Sequence, residues 1–159
     1  MTPIRVTSPE GPVVPLADLK THLGVVGDHH DGLITSLEAA CVAHLDGWRG
    51  VLGRCILPQS WRVSYPRGGV WCLPFPDVTA VEAVDGAGNP VDAALIAHDL
   101  GPRVDLGAAA VVTLTAGLPD ESLEAVRAAI RVWVRARYDN EDVPTAFHAL
   151  IGPLRWVRL

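Results

Sequence analysis

The sequence predicts an α+β domain with two N-terminal helices, a central antiparallel β region with hairpins, a long C-terminal helix and a short C-terminal tail. Apolar residues recur every three or four positions in residues 15–52 and again in residues 119–140. Between these stretches, in residues 59–116, they recur at every second position. Separate helical and strand periods along one chain are typical of α+β folds.

Size and charge limit the classes of protein that the chain can belong to. With 159 residues and 49% hydrophobic content it can bury one ordinary core. Its net charge of −5 argues against a general nucleic-acid binder, which would need a basic face. No apolar run approaches the ~20 residues of a membrane span, and the start of the chain lacks the apolar region of a signal peptide. We therefore expect a protein made in the cytosol, with no membrane contact.

The first part of the chain predicts an arm followed by two helices. Four prolines in residues 2–15 predict an extended arm over residues 1–14. A short helix follows and is expected to stop at Gly24. The second helix is predicted from a stripe of apolar residues in steps of three or four: Leu33, Leu37, Cys41, Leu45, Trp48 and Leu52.

The middle of the chain carries two turn signals between strand-like runs. Residues 85–90, DGAGNP, predict a hairpin turn, and residues 66–69, PRGG, are a second candidate. The longest helix is predicted to begin after Pro119 and to run to about Asn140. One further helical turn is expected in residues 144–151, before Gly152 and Pro153 end it.

No residue pattern predicts catalysis, a metal or a cofactor. Three cysteines without a CxxC pair argue against a disulfide framework or a zinc ribbon and are interpreted as reduced, buried thiols. Cys41 and His44 lie one helical turn apart, but two ligands do not make a metal site, and a buried cysteine is the simpler interpretation. No Gly-x-Ser-x-Gly elbow or phosphate-binding loop is present. We expect a protein that is not an enzyme.

A row of arginines is the first candidate functional feature. Arg127, Arg131 and Arg135 are spaced by four residues and are nearly aligned on one helix face. One interpretation is a solvated face with weak pairing to Glu124. The other is an interface with acidic side chains of a neighbouring copy or with DNA phosphate, of which the overall acidity favours the protein partner.

The C-terminal tail, residues 152–159, is the second candidate. It could fold back onto its own core or become ordered on a partner. Aromatic and arginine side chains dominate many interfaces, which favours a partner. The candidate contact residues are Leu154, Arg155, Trp156, Val157, Arg158 and Leu159.

Several stretches in a fixed order carry a resemblance to a known family. They are PLADLKTHLG (15–24), DGLITSLEAA (31–40), GRCILPQSW (53–61), LPFPDVTAVEAV (73–84), LTAG (114–117) and YDNE (138–141). Over residues 13–142 the sequence thereby resembles the phage head-tail connector (adaptor) family, found in tailed phages and phage-derived gene transfer agents. Each motif alone is moderately specific, and the resemblance rests on all of them occurring in the order that the family shows.

The resemblance implies a structural role without catalytic residues or cofactors. Such proteins form a ring, commonly of twelve subunits, that lies beneath the capsid portal and continues its DNA channel toward the stopper and tail. It implies a connector domain over residues 15–151 and portal contact by the tail, and it makes the arm a candidate contact with a neighbour or the next ring. DNA would pass through the lumen without sequence-specific binding. The protein would assemble in the bacterial cytoplasm and then lie at the head-tail junction of the particle. A small non-enzymatic bacterial binding or regulatory domain is the alternative.

Overall fold

The computed structural model of the chain describes residues 1–157, and its helices and antiparallel sheets confirm the predicted α+β class. Arg158 and Leu159, two of the predicted tail contacts, lie outside the described residues. The strands are β1 (Ile4–Thr7), β2 (Gln59–Tyr65), β3 (Gly69–Cys72), β4 (Val78–Val84), β5 (Ala93–Ile96), β6 (Arg103–Leu106) and β7 (Ala110–Ala116). The helices are α1 (Leu16–Leu23), α2 (Asp31–Leu45), α3 (Asp120–Tyr138) and α4 (Thr145–Ile151), followed by a 3₁₀ turn at Gly152–Leu154.

The chain forms two compact units. The β unit contains Met1–Glu10, Leu57–Leu118 and the segment that begins at Trp156. The helical unit contains Gly11–Ile56 and Pro119–Arg155. The predicted division at residues 14 and 151 concerns roles in an assembly and stays a prediction.

Two antiparallel sheets make up the β unit. The larger has the strand order β1-β2-β7-β4 and the smaller has the order β3-β6-β5. In β2 and β7 alternate residues are buried, as the period of two predicts, because successive side chains point to opposite faces of a sheet. Trp61 on β2 lies opposite Leu114 on β7, and both are buried. Trp61 also packs on Phe75, which has no exposed surface.

The predicted turn at residues 85–90 is present. The Asp85 backbone N–H donates to the Asn89 carbonyl at 2.8 Å, and Val84 and Pro90 form a bridge beyond it. The Asp85 carboxylate accepts from the side-chain amide of Asn89 and from backbone N–H groups, and these bonds lower the pKa of Asp85. The strand after the turn nevertheless joins the other sheet, since β5 pairs with β6. The turn therefore connects two sheets instead of two neighbouring strands of one sheet.

The helical unit has α3 at its centre, in contact with α1, α2 and α4. Helix α1 ends at Leu23 and, as predicted, stops at Gly24, which caps it in a left-handed conformation (φ 71°) that glycine adopts without steric cost. Helix α3 buries one continuous stripe against the rest of the unit, and no helix within residues 1–157 is long and apolar enough to cross a membrane. The buried residues of α3 are Leu123, Val126, Ala129, Ile130, Val134 and Ala136.

Helix α2 differs from its predicted form in length and in the face that it buries. It ends at Leu45, and the chain then folds back so that the backbone N–H of Leu52 donates to the carbonyl of Leu45 at 3.1 Å. The buried face contains Ile34 and Glu38, whereas Leu33 is half exposed. The predicted stripe was therefore wrong at its start, because a leucine and an isoleucine in adjacent positions satisfy the helical period equally well.

Candidate assembly surfaces

Two of the three arginines in the predicted row are bonded within the helical unit. Arg127 donates from Nε to the carbonyl oxygen of Val13 at 3.2 Å and pairs with the carboxylate of Glu124 one turn before it. Arg135 pairs with Asp139, with Nε 2.6 Å from Oδ2. The predicted pairing with Glu124 is thus present for Arg127, but its bond to Val13 makes this arginine a structural contact as well.

Arg131, at the middle of the row, has different surroundings. It is half-buried on α3, and its guanidinium has no hydrogen-bond or ion-pair partner elsewhere in residues 1–157. An arginine head group has five donors and keeps its charge, so an accessible one can bind a carboxylate of another chain. Within the row, Arg131 is therefore the residue with the most capacity for an external contact.

A buried carboxylate fixes the beginning of the helical unit. Glu38 on α2 is only 5% exposed. Its Oε1 accepts the backbone N–H groups of Val13 at 2.9 Å and Val14 at 3.3 Å, and both valines are buried. Because Arg127 binds the carbonyl of Val13, the chain at this point is held on both sides. Residues 13 and 14 are consequently an anchored part of the helical unit.

The described part of the tail is divided between the two units after Arg155. In the helical unit, the carbonyl of Leu154 accepts a hydrogen bond from Arg54 Nη1 at 3.3 Å. Arg155, the last residue of that unit, is exposed. Val157 is 69% exposed. Of the four described candidates for portal contact, Arg155 and Val157 are accessible without any rearrangement.

Trp156 packs against a glycine of the β unit. A Cβ atom at Gly101 would lie 2.8 Å from Cζ2 of the Trp156 indole, so a larger residue here would displace the indole from its present position. Gly101 also has a φ of 104°, which disfavours any other residue. The indole is half-buried and borders an open cleft of about 310 Å³. The other residues lining the cleft are Pro76, Val78, Leu95, Ala97, His98, Asp99 and Pro102.

Cys41 and His44, the nearest approach to a metal site in the sequence, differ in their exposure. Cys41 is fully buried, and burial with the nearby charge of Glu38 raises the pKa of its thiol to about 12, while His44 is exposed. Within residues 1–157 there is no group of three His, Cys, Asp or Glu side chains arranged to hold a metal ion. Cys72 corrects the interpretation of all three thiols as buried, because it lies exposed on β3 opposite Arg103.

Sequence reasoning missed the roles of Glu38, Arg54 and Gly101. Glu38 lies outside the predicted stripe of Leu33, Leu37 and Cys41, and its burial depends on the face that α2 buries in the structure. Arg54 donates a hydrogen bond to Leu154, and Gly101 packs against Trp156. Both contacts join residues that lie far apart in the sequence. No local pattern indicates such contacts.

One solved structure has a similar fold over the whole chain. It is described as the neck of an empty gene transfer agent (GTA) particle computed with C6 symmetry. The two chains are 24% identical with a TM-score of 0.69, and the likeness covers 100% of this chain and 97% of that one. No protein-family model and no curated protein sequence matches the chain. The likeness is one of fold, and it is consistent with the resemblance to head-tail connectors.

Proposed function

We propose that the protein is a structural head-tail connector (adaptor) subunit of a phage or gene transfer agent particle. The observation that carries the proposal is the fold likeness to a particle neck over 100% of this chain and 97% of the other. A fold alone does not define a function. The order of the sequence motifs over residues 13–142 supports the same assignment independently. The role is geometric, so it needs no catalytic residue or cofactor.

The subunits would form a ring with neighbouring copies. The similar neck was computed with C6 symmetry, and twelve subunits are compatible with a sixfold axis. A closed ring needs heterologous contacts, in which one patch meets a different patch on the next copy. Arg131 suits such a contact, since its charge has no partner within residues 1–157 and the net charge of −5 favours an acidic side chain of the next copy as its partner.

The tail would bind the portal protein. Arg155 and Val157 are already accessible, and Trp156 is only half-buried on Gly101. Tryptophan and arginine side chains that become buried at an interface often contribute much of the binding free energy. In this proposal the contact surface includes Leu154, Arg155, Trp156 and Val157, and also Arg158 and Leu159 outside the described residues.

The ring would continue the DNA channel from the portal toward a stopper or tail protein. An acidic lumen would let DNA slide without sticking. Binding of DNA by counterion release needs basic side chains that neutralise phosphates, and an acidic surface does not supply them. The subunit would assemble in the bacterial cytoplasm and remain at the head-tail junction. An assembled lumen lined with arginines would contradict the acidic-lumen part of the proposal.

Mass measurement with the portal protein of the same particle tests the function. We expect native mass spectrometry to show many copies added to each portal ring, even where the chain alone is monomeric. A variant that ends at Arg155 removes residues 156–159 but keeps the bond between Arg54 and Leu154. Its portal binding should fall at least about tenfold, which corresponds to ~1.4 kcal/mol.

A matched control removes apolar surface elsewhere. Val26 is 95% exposed in the helical unit, so Val26→Ala should leave portal binding unchanged. A truncated chain that binds portal like the full chain would overturn the assignment of the tail. A full chain that never associates with portal would favour the alternative, a small non-enzymatic binding domain that acts as a monomer or dimer.

A further inference from the structure

The N-terminal strand and the residues that follow it belong to different compact units. Met1–Glu10, including β1, belong to the β unit, and the chain from Gly11 onward belongs to the helical unit. Val13 and Val14 are held there by Glu38. The arm therefore has one end anchored in the helical unit and the other paired with β2.

The contacts of β1 are made at the surface. All four of its residues are exposed, with Ile4 at 67% and Val6 at 47%. Ile4 pairs with Arg62 on β2, and the Arg5 guanidinium lies over the Trp61 ring, 4.9 Å from its centre. No side chain of β1 is buried, but Pro3, directly before the strand, is buried, so exchange must place Pro3 in the equivalent site on the neighbouring copy.

β1 is also an edge strand that pairs with β2 on one side in the larger sheet. Exposed edges with apolar side chains are templates for pairing with another chain, and proteins usually protect them with charge, proline or irregularity. Here a break in register between Arg5 and Thr7 is present, but Ile4 and Val6 remain exposed. The strand is therefore held by its pairing with β2, with its side chains at the surface.

The connection between β1 and the anchor is short and rich in proline. Residues 8–12 form no helix or strand and contain Pro9 and Pro12. The two prolines fix φ at their positions, and the chain bends between them at Glu10 and Gly11. Gly11 has a φ of 74°, so one change at this residue can redirect the arm. Stiff, short connections of this kind favour exchange of a terminal element between copies.

We propose that β1 is exchanged in the assembled ring, so that the β1 strand of each copy pairs with β2 of the next copy. The inference rests on the proposed ring. Every contact that β1 makes with its own β2 is remade with an identical β2 of the neighbour, so exchange sacrifices no pairing. Each copy then donates one arm and accepts one, which is a heterologous contact that closes around a ring. The arm thereby links successive subunits.

A disulfide between paired cysteines shows whether β1 lies on the β2 strand of its own chain or on that of another copy. Ile4 and Arg62 lie opposite each other in an antiparallel pair, where Cα atoms are about 4.5–5.5 Å apart and within reach of a disulfide. The double variant Ile4→Cys, Arg62→Cys is made in a Cys72→Ser background, because Cys72 is the exposed native thiol. Monomer and portal-bound ring are each oxidised with diamide and separated on a non-reducing denaturing gel.

We expect an intrachain bond in the monomer and a ladder of covalently linked chains from the ring. The control pair Glu82→Cys, Thr113→Cys joins β4 to β7 inside one β unit and should give intrachain bonds in both states. A second measurement mixes chains carrying only Ile4→Cys with chains carrying only Arg62→Cys before assembly. A heterodisulfide between them requires β1 to lie on the β2 of another copy.

The outcomes separate this inference from the function on which it rests. Ring formation by the unmodified chain is scored by mass before any oxidation. A ring whose Ile4–Arg62 bonds are all intrachain, with no heterodisulfide in the mixture, overturns strand exchange and leaves the connector function standing. A chain that forms no ring with portal overturns both.

Discussion

The side chain of Glu38 accepts the backbone N–H of Val13 at 2.9 Å inside the helical unit. This bond joins helix α2 to the residues where the arm enters, and Arg127 of helix α3 binds the carbonyl of the same valine. One backbone position is thereby tied to two helices that lie far apart in sequence. Residues 13 and 14 are therefore fixed in the helical unit, whereas Met1–Glu10 belong to the β unit.

Replacing Glu38 should destabilise the helical unit. Glu38→Ala leaves two buried N–H groups without an acceptor, and we expect the free energy of unfolding to fall by about 2–4 kcal/mol. Glu38→Gln keeps a carbonyl oxygen that can accept and should cost about 1 kcal/mol. Urea unfolding followed by far-UV circular dichroism measures both variants. Equal losses for alanine and glutamine would contradict the role given to the acceptor oxygen.

Arg127 and Arg131 should respond differently to the same substitution. Arg127→Ala removes the bond to Val13 and should lower the free energy of unfolding by about 1–2 kcal/mol. Arg131→Ala removes a guanidinium without a partner in residues 1–157, so stability should change by no more than about 0.5 kcal/mol. Assembly on portal should nevertheless weaken for Arg131→Ala. Normal assembly of Arg131→Ala, measured by native mass spectrometry, would remove Arg131 from the proposed interface.

Gly101→Ala should displace the Trp156 indole. The added Cβ atom would lie 2.8 Å from Cζ2 of Trp156, and the φ of 104° at residue 101 is unfavourable for alanine. We expect acrylamide to quench tryptophan fluorescence more strongly, and the increase should vanish when Trp156→Phe is added. If the indole is part of the portal contact, Gly101→Ala should keep or strengthen portal binding, whereas Trp156→Ala should weaken it. Loss of binding in both variants would show that the packed position of Trp156 is the one that portal needs.

The three thiols should differ in reactivity. Cys72 is exposed, Cys41 and Cys55 are buried, and the thiol of Cys41 has a pKa of about 12. Because the thiolate is the reactive form, iodoacetamide at pH 8 should label Cys72 in the folded protein and leave the other two unmodified. Mass spectrometry of proteolytic fragments locates the label. In denaturant all three should react, which serves as the control, and rapid labelling of Cys41 in the folded chain would contradict the burial of helix α2.

The sequence by itself determined the fold class and much of the local structure. Helix α1 stops at Gly24 and α3 begins after Pro119, because proline and glycine act on the backbone through their own stereochemistry. The turn at residues 85–90 follows from the same local chemistry. These features depend on neighbours within a few residues, so a linear pattern is enough to predict them.

Only the tertiary structure decided which distant residues meet. It assigned β5 to the sheet of β6, buried Glu38 against Val13, placed Trp156 on Gly101, and left Arg131 unpartnered, within residues 1–157, between two bonded arginines. Each outcome depends on packing between segments many residues apart, and the same local pattern is compatible with several such pairings. The residues proposed for assembly are of this kind, since an accessible charge or indole is defined by what the rest of the chain leaves uncovered.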